Sequence, residues 1–261
     1  MYFSTLKTVG LSFLLEICVD SVESACNAEE AGAGRVELCS ALSEGGLTPS
    51  LGLISMVRSN INIDLNVLIR PRRGDFLYSD QEFSVMKHDI DVAGEAGANG
   101  IVTGILLSNG SIDTERMSKL VEYAWPMKVT FHRAFDMCHD PFGALEEIVS
   151  TGASRLLTSG QARRAVEGVK LIKDLITIAD DNIIIMPGAG IDEFNISSIA
   201  LATGAREFHL SAGTRVESNM AYRKKGVVMG SMTPVTEYEY KTADIHRIKT
   251  AIKTLQSIEI Q

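Results

Sequence analysis

Three short motifs in this 261-residue chain repeat one pattern, in which a glutamate stands two positions before a side chain that binds soft or borderline metals. They are Glu16-Ile17-Cys18, Glu37-Leu38-Cys39 and Glu207-Phe208-His209. Thiolates and imidazole are soft or borderline metal ligands. Cys18, Cys39 and His209 are therefore candidate metal ligands. The alternative is that both cysteines are small inward residues that only fill space.

The three motifs lie in short β-rich runs, which alternate with helix-like segments along the chain. Helix-capping residues such as those of Thr48-Pro49-Ser50 and Asp140-Pro141 begin the helical segments, and Gly-containing turns end several of them. Eight strand–helix units predict an α/β fold, a single TIM-type (β/α)8 barrel. An open doubly wound sheet is the alternative, but no Gly-x-Gly-x-x-Gly follows the first strand. The predicted strands are Leu14–Val19, Arg35–Cys39, Leu65–Arg70, Gly100–Thr103, Lys128–Arg133, Arg155–Thr158, Ile183–Met186 and Glu207–Leu210.

No linker or low-complexity segment divides the chain, so residues 1–261 are predicted to form one barrel domain. It comprises an N-terminal tail (1–13), a core (14–215) and a C-terminal segment (216–261). The sequence beyond Ser211 is less regular. We therefore expect the last helix to be irregular or displaced to Ala243–Leu255.

Side chains alternate between the two faces of a strand, and on these strands one face is apolar while the other holds the ionisable groups. The apolar face must pack on the helices, which turns the polar face into the barrel. We expect the three glutamates to form one layer beneath the two thiols and the imidazole. The alternative is an internal salt-bridge network around Arg70. The inward ionisable residues are Glu16, Glu37, Arg70, His132, Glu207 and His209.

Acid–base chemistry on a small anionic substrate is the second functional hypothesis. His132 with Glu16 or Glu37 are its candidate catalytic residues. Glycine-rich turns after strands seven and eight of a barrel often hold phosphate on backbone N–H groups, and here they include Gly188 and Gly190. Those glycines are alternatively no more than tight turns. No lysine ends a strand, which argues against a Schiff-base aldolase. The candidate substrate-binding cations are Arg70, Arg72 and Arg133.

From about Leu14 to Thr214 the chain resembles the copper homeostasis protein CutC family. The resemblance rests on seven ordered motifs, and it implies a TIM-type barrel, copper(I) binding at Cys18 and Cys39, and a homo-oligomer. Asp136, Thr158 and Ser159 lie in these motifs and join the candidate substrate-binding residues. Whether the protein is an enzyme stays open. The motifs are Leu15–Ser21, Glu37–Ser40, Glu44–Ser50, Ile69–Arg72, Thr130–Asp136, Leu157–Gly160 and Glu207–Ala212.

The composition of the chain limits which binding partners and which cellular compartment are expected. A formal net charge of −8 disfavours nucleic acid, and no apolar stretch reaches the ~20 residues that span a bilayer. Four cysteines do not make a disulfide framework in a chain of this length, which favours a reducing compartment. The stretch from Lys7 to Leu15 imitates a signal peptide only weakly. A cytoplasmic location is therefore expected.

Overall fold

The computed structural model describes residues 13–227, 229 and 237–258. Its main element is an eight-stranded parallel sheet in the order β7-β6-β5-β4-β3-β2-β1-β8. No ladder joins β7 to β8, both of which are fully described, so the barrel is nearly rather than fully closed. The strands are β1 (Leu14–Val19), β2 (Arg35–Leu38), β3 (Asp64–Leu68), β4 (Gly100–Thr103), β5 (Lys128–Phe131), β6 (Arg155–Thr158), β7 (Ile184–Pro187) and β8 (Glu207–Leu210).

Seven helices follow the first seven strands and cover the sheet. Side-chain oxygens cap several of them, as when Ser21 accepts from the backbone N–H of Ser24 and Asp140 from those of Phe142 and Gly143. The helices are α1 (Val22–Glu30), α2 (Leu51–Asn60), α3 (Asp80–Glu95), α4 (Thr114–Ala124), α5 (Pro141–Ser150), α6 (Val169–Ala179) and α7 (Ile196–Thr203). The predicted TIM-type barrel is confirmed.

An antiparallel hairpin stands between β8 and the last helix. It pairs β9 (Gly213–Glu217) with β10 (Glu239–Ala243), and α8 (Ile245–Gln256) follows and contacts α1 and α7. The last helix is thus displaced, close to the predicted range. Residues 1–12 of the predicted tail lie outside the described residues, as do several residues of the C-terminal segment.

Three predicted strands extend too far at their carboxyl ends. Cys39, Arg70 and His132 lie just beyond the ends of β2, β3 and β5, in the connections that form the mouth of the barrel. None of the helices described is both long and apolar enough to cross a membrane.

The apolar core lies between the sheet and the helices. Leu15, Ile17 and Val19 of β1 belong to it, whereas Glu16 points into the barrel, where it contacts side chains of other strands. The predicted division of each strand into a helix-facing and an inward face therefore holds for β1.

Candidate metal centre

Two thiols meet at the carboxyl ends of β1 and β2. The register sets Cys18 beside Glu37, and the backbone N–H of Cys39 donates to Val19. This places the Sγ atoms of Cys18 and Cys39 3.7 Å apart, with the Cys39 thiol 3.2 Å from Oε1 of Glu37. All three side chains line a cavity of about 240 Å³ at the mouth of the barrel.

His209 of β8 completes this cluster. Its Nδ1 lies 2.8 Å from Oε1 of Glu16 and 3.8 Å from Oε2 of Glu37, and a hydrogen bond also links its ring to Cys18. Burial disfavours the imidazolium, but Glu37, Cys18 and Glu16 outweigh burial and raise the pKa of His209 well above its ordinary value. The ring is thus held as a cation between a carboxylate and the thiols.

The thiols and carboxylates of this cluster titrate as a coupled set. The hydrogen bond from Cys39 lowers the pKa of Cys18 to about 6 against burial, with help from His209. The same bond, together with burial, raises the pKa of Cys39 well above its ordinary value. Burial raises the pKa of Glu37 to about 8. Near neutral pH, Cys18 is therefore the thiolate of the pair and Cys39 is the thiol.

This donor set suits a soft cation. The ligand atoms of Cys18, Glu37 and Cys39 all lie within 4.8 Å of one another, as do those of Glu16, Glu37 and His209. Two adjacent sulfurs match the preference of Cu(I) for soft ligands, whereas a carboxylate alone would suit harder ions. The two cysteines therefore fit copper(I), with Glu37 and His209 beside them.

Below the thiols, an ion-pair network that sequence analysis missed fills the barrel. Nε of Arg35 lies 2.5 Å from Glu16, and its Nη2 lies 2.6 Å from Glu207, which also receives a bidentate contact from Arg155. Burial raises the pKa of Glu16, but His209 and Arg35 outweigh burial and lower it to about 2. Asn66 donates to the same carboxylate. Glu16 is thus ionised and accepts from three side chains, and a pKa of about 2 makes it a weak base.

The expected single layer of three glutamates is wrong. The ladders set Glu207 beside Leu14, Glu16 beside both Arg35 and His209, and Glu37 beside Cys18. The carboxylates therefore occupy successive levels, because neighbouring strands of a barrel are staggered by its shear.

The alternative interpretation, a salt-bridge network around Arg70, is not found among the described residues, because the Arg70 guanidinium pairs with backbone instead. Nη1 donates to the carbonyls of Glu44 and Gly46, and Nη2 donates to that of Gly74. Arg70 nevertheless lines the cavity, and the cations that neutralise the inner carboxylates are Arg35 and Arg155.

His132 also lines the cavity. Its Nδ1 accepts from the backbone N–H of Ala134, and its ring packs against Phe76 at 4.9 Å between centroids. Burial, together with the charge of Arg70, lowers the pKa of His132 to about 3. The ring is therefore neutral near pH 7, and because Nδ1 is an acceptor, the proton is on Nε2.

Of the other candidate substrate-binding residues, the structure brings Arg133 and Gly190 to the cavity wall. Arg72 lies outside that wall and bonds instead to Glu82 and Asp75. Gly188 also lies outside it and packs closely, since a Cβ there would come within 2.5 Å of Leu157.

Asp136, Thr158 and Ser159 form a separate cluster behind the cavity wall. The Asp136 carboxylate accepts from the hydroxyls of Thr158 and Ser159 and from the backbone N–H of Gln161, and it pairs with Arg133. These contacts tie the connection after β5 to the one after β6. These three residues therefore hold Arg133 in position and do not line the cavity themselves.

Fold and site together define a TIM-type barrel with a thiol pair at its strand ends, and the comparisons agree with that class. The sequence model of the CutC family matches residues 13–214. The copper homeostasis protein cutC homolog of Mus musculus is 50% identical over 241 residues, covering 92% of this chain and 89% of its own. The Homo sapiens homolog of the same name is 50% identical over 238 residues, covering 91% and 87%. The chain belongs to the CutC family.

Solved structures agree on the architecture. A CutC structure from Streptococcus agalactiae superposes with a TM-score of 0.73 at 34% identity, covering 76% of this chain and 98% of that one. N-(5'-phosphoribosyl)anthranilate isomerase from Pyrococcus furiosus has a TM-score of 0.57 at 12% identity, covering 94% of this chain and 100% of that one. The second likeness shows the barrel fold alone.

Proposed function

We propose that this protein binds one Cu(I) ion through Cys18 and Cys39 and acts in copper homeostasis. The observation that carries the proposal is the 3.7 Å separation of the two Sγ atoms at the wall of a cavity. Membership of a family whose named relatives are copper homeostasis proteins supports the same function. His209 is the proposed third ligand, because its ring already contacts Cys18.

Charge also favours Cu(I) at this position. One thiolate is available near neutral pH, since the pKa of Cys18 is about 6, and the Cys39 proton leaves when a cation arrives. The two thiolates would then carry one negative charge more than a monovalent ion neutralises, and His209 would give up its second ring proton on becoming the third ligand.

The test is a Cu(I) titration of the reduced protein under anaerobic conditions, in competition with a chromophoric Cu(I) chelator. We expect roughly one ion per chain. Replacing a residue that only supports a metal ligand typically lowers metal affinity by roughly 10–100-fold. Cys18→Ser and Cys39→Ser each remove a proposed ligand itself, so each should lower the Cu(I) affinity by more than that.

Cys138→Ser is the matched control. Cys138 is also a buried thiol, but it donates to the carbonyl of Asp140 and lies outside the cavity wall. Its replacement should leave the affinity unchanged. A Cys18→Ser/Cys39→Ser double variant that competes as well as the wild type would end the proposal.

We further propose a cytoplasmic location and a homo-oligomer. All four cysteines are free thiols, which suits a reducing compartment. Met220, Tyr222 and Val227 are exposed in the chain after β9, and exposed apolar side chains close in sequence favour a protein interface. Sedimentation velocity of the reduced protein tests the assembly.

An enzyme acting on a small anionic substrate is the second candidate function. The observation that favours it is a neutral, buried His132 at the wall of the same cavity as the cation Arg70. Proton transfer would fall to Glu37, since Glu16 is held by Arg35 and Asn66, while His132 would donate a hydrogen bond from Nε2.

A further inference from the structure

Arg70 is a buried cation that no carboxylate of the described residues neutralises. Its residue is 7% exposed, and within the described part of the chain it forms no ion pair. Removing an unpaired charge from water costs several kcal/mol. Such a residue is a ready partner for an anion that enters the cavity it lines.

The hydrogen bonds of Arg70 fix the guanidinium and leave part of it free. Three of its contacts go to the carbonyls of Glu44, Gly46 and Gly74. A guanidinium has five N–H groups, and Nε forms no hydrogen bond among the residues that the structure describes, although the hydroxyl of Tyr78 lies near the guanidinium. The side chain is thus held rigidly while donor capacity remains.

His132 supplies a second unused donor. Its Nε2 carries the proton, because Nδ1 accepts from Ala134, and in the described chain Nε2 is buried without a partner. The ring of Phe76 packs on both groups, 4.9 Å from the imidazole centroid and 5.1 Å from Cζ of Arg70. The two donors therefore flank one aromatic side chain in one cavity wall.

Of the other charges around the cavity, the Cys18 thiolate opposes an anion, and the imidazolium of His209 beside it offsets that charge. Arg133 adds a second cation to the wall, although Asp136 pairs with it. His209 is the cation nearest to Glu37, and burial disfavours the charged form of that glutamate.

We propose that Arg70 and the Nε2–H of His132 form a binding site for a small oxyanion, a carboxylate or a phosphate group, next to the thiol pair. The turn Gly45-Gly46 links the two sites, since Gly46 accepts from Arg70 while a Cβ on it would lie 3.5 Å from Sγ of Cys39. A cavity of about 240 Å³ limits the ligand to a few heavy atoms beyond the oxyanion. This inference deepens the second candidate function and is independent of copper.

The first test uses the reduced, metal-free wild type, labelled with 15N in its histidines. Sodium acetate and sodium phosphate are titrated in separate arms at constant ionic strength, with sodium chloride as the reference. We expect one histidine Nε2 resonance to shift along a saturable curve in at least one oxyanion arm. The anion whose titration saturates at the lower concentration, acetate or phosphate, identifies which oxyanion the site prefers. No saturable shift up to tens of millimolar, or the same shift with chloride, would overturn the proposal.

Variants then locate the site. His132→Phe removes the donor and keeps an aromatic ring, so the shifted resonance should vanish and the oxyanion affinity, read from the rise in Tm, should fall at least tenfold. Arg73→Met is the control, because it removes an exposed cation near the mouth that pairs with Glu44 and lies outside the cavity wall. Equal loss of affinity in both variants would mean nonspecific attraction and would contradict the proposal.

Neither measurement needs copper. If the cysteine variants lose Cu(I) binding but keep the oxyanion titration, the result supports this oxyanion site. The copper proposal is judged separately by the chelator competition. An absent oxyanion titration with intact Cu(I) binding overturns this site alone.

Discussion

Nδ1 of His209 donates to Oε1 of Glu16 across 2.8 Å inside the barrel. The carboxylate therefore fixes which edge of the imidazole ring points toward the thiols. A carboxylate behind a histidine orients the ring and raises its basicity, as in many metal sites. Glu16 is therefore better described as the residue that positions His209 than as a general base.

We predict that Glu16→Gln weakens Cu(I) binding by roughly 10–100-fold and lowers the pKa of His209. The amide oxygen still accepts from Nδ1, but the charge that favours the imidazolium is gone. Chelator competition and 15N histidine shifts measure the two effects. Glu207→Gln is the control, since Glu207 shares Arg35 with Glu16 yet pairs with Leu14 on β1 rather than contacting His209. Equal losses in both variants would assign the effect to Arg35 instead.

The Cys18 thiolate should be detectable by its reactivity. Its pKa is about 6 because Cys39 donates to it, so alkylation of Cys18 should level off above about pH 7, as expected for a group already ionised there. Cys39→Ala removes that hydrogen bond and should move the midpoint upward. Cys138, whose pKa burial raises to about 11, is the unreactive internal reference. Peptide mass spectrometry after timed alkylation separates the sites.

Gly46 is predicted to be intolerant of a side chain. Its φ is +87°, and a Cβ would lie 2.7 Å from Cδ2 of Leu68. Gly46→Ala should therefore destabilise the fold by about 2–4 kcal/mol, combining backbone strain with a clash. Gly204→Ala has a similar φ of +79° but meets nothing within 4 Å, so it should show the strain alone, about 1 kcal/mol. Urea unfolding of both variants compares them, and equal losses would contradict the clash.

The barrel could be predicted from sequence because each of its signals is local. Alternating apolar residues such as Leu15, Ile17 and Val19 mark a strand face, and capping residues such as Asp140 mark a helix start. The same alternation identified Cys18 and Glu37 as inward residues. These features depend on neighbours in the chain, so no knowledge of distant contacts was needed.

The partners of the inward charges could not be predicted in the same way. Arg35 and Arg155 stand at the starts of their strands, and the period of two that marked Glu37 also placed Arg35 inside. The inward direction of Arg35 was therefore readable from the sequence, but its carboxylate partners were not. The stagger between β8, β1 and β2 was not readable, because register depends on how the whole barrel closes. The carbonyl contacts of Arg70 depend on the folds of two loops that carry no periodic pattern.

The last prediction concerns Arg35, which neutralises buried carboxylates of Glu16 and Glu207. Arg35→Met leaves Glu16 with no cation but His209, and removing one partner of a buried pair costs about 3–5 kcal/mol. The pKa of Glu16 is about 2 in the folded protein against an ordinary 4.5, so this glutamate stabilises the fold above about pH 4.5 and loses that contribution as the pH falls toward 2. In the variant, the pKa lies higher, and protonation relieves the unpaired charge at a pH where the wild type is still ionised.

The penalty of Arg35→Met should therefore be largest near pH 7 and shrink toward about pH 4. Urea unfolding at several pH values measures it. In Arg35→Met/Glu16→Gln the neutral amide needs no counter-charge, so part of the stability should return at pH 7, and the double-mutant cycle gives the coupling. Arg73→Met removes an exposed ion pair with Glu44 and should cost less than about 1 kcal/mol. A penalty for Arg35→Met that stays constant with pH would place its origin in packing, since lost volume does not titrate whereas an unpaired carboxylate does.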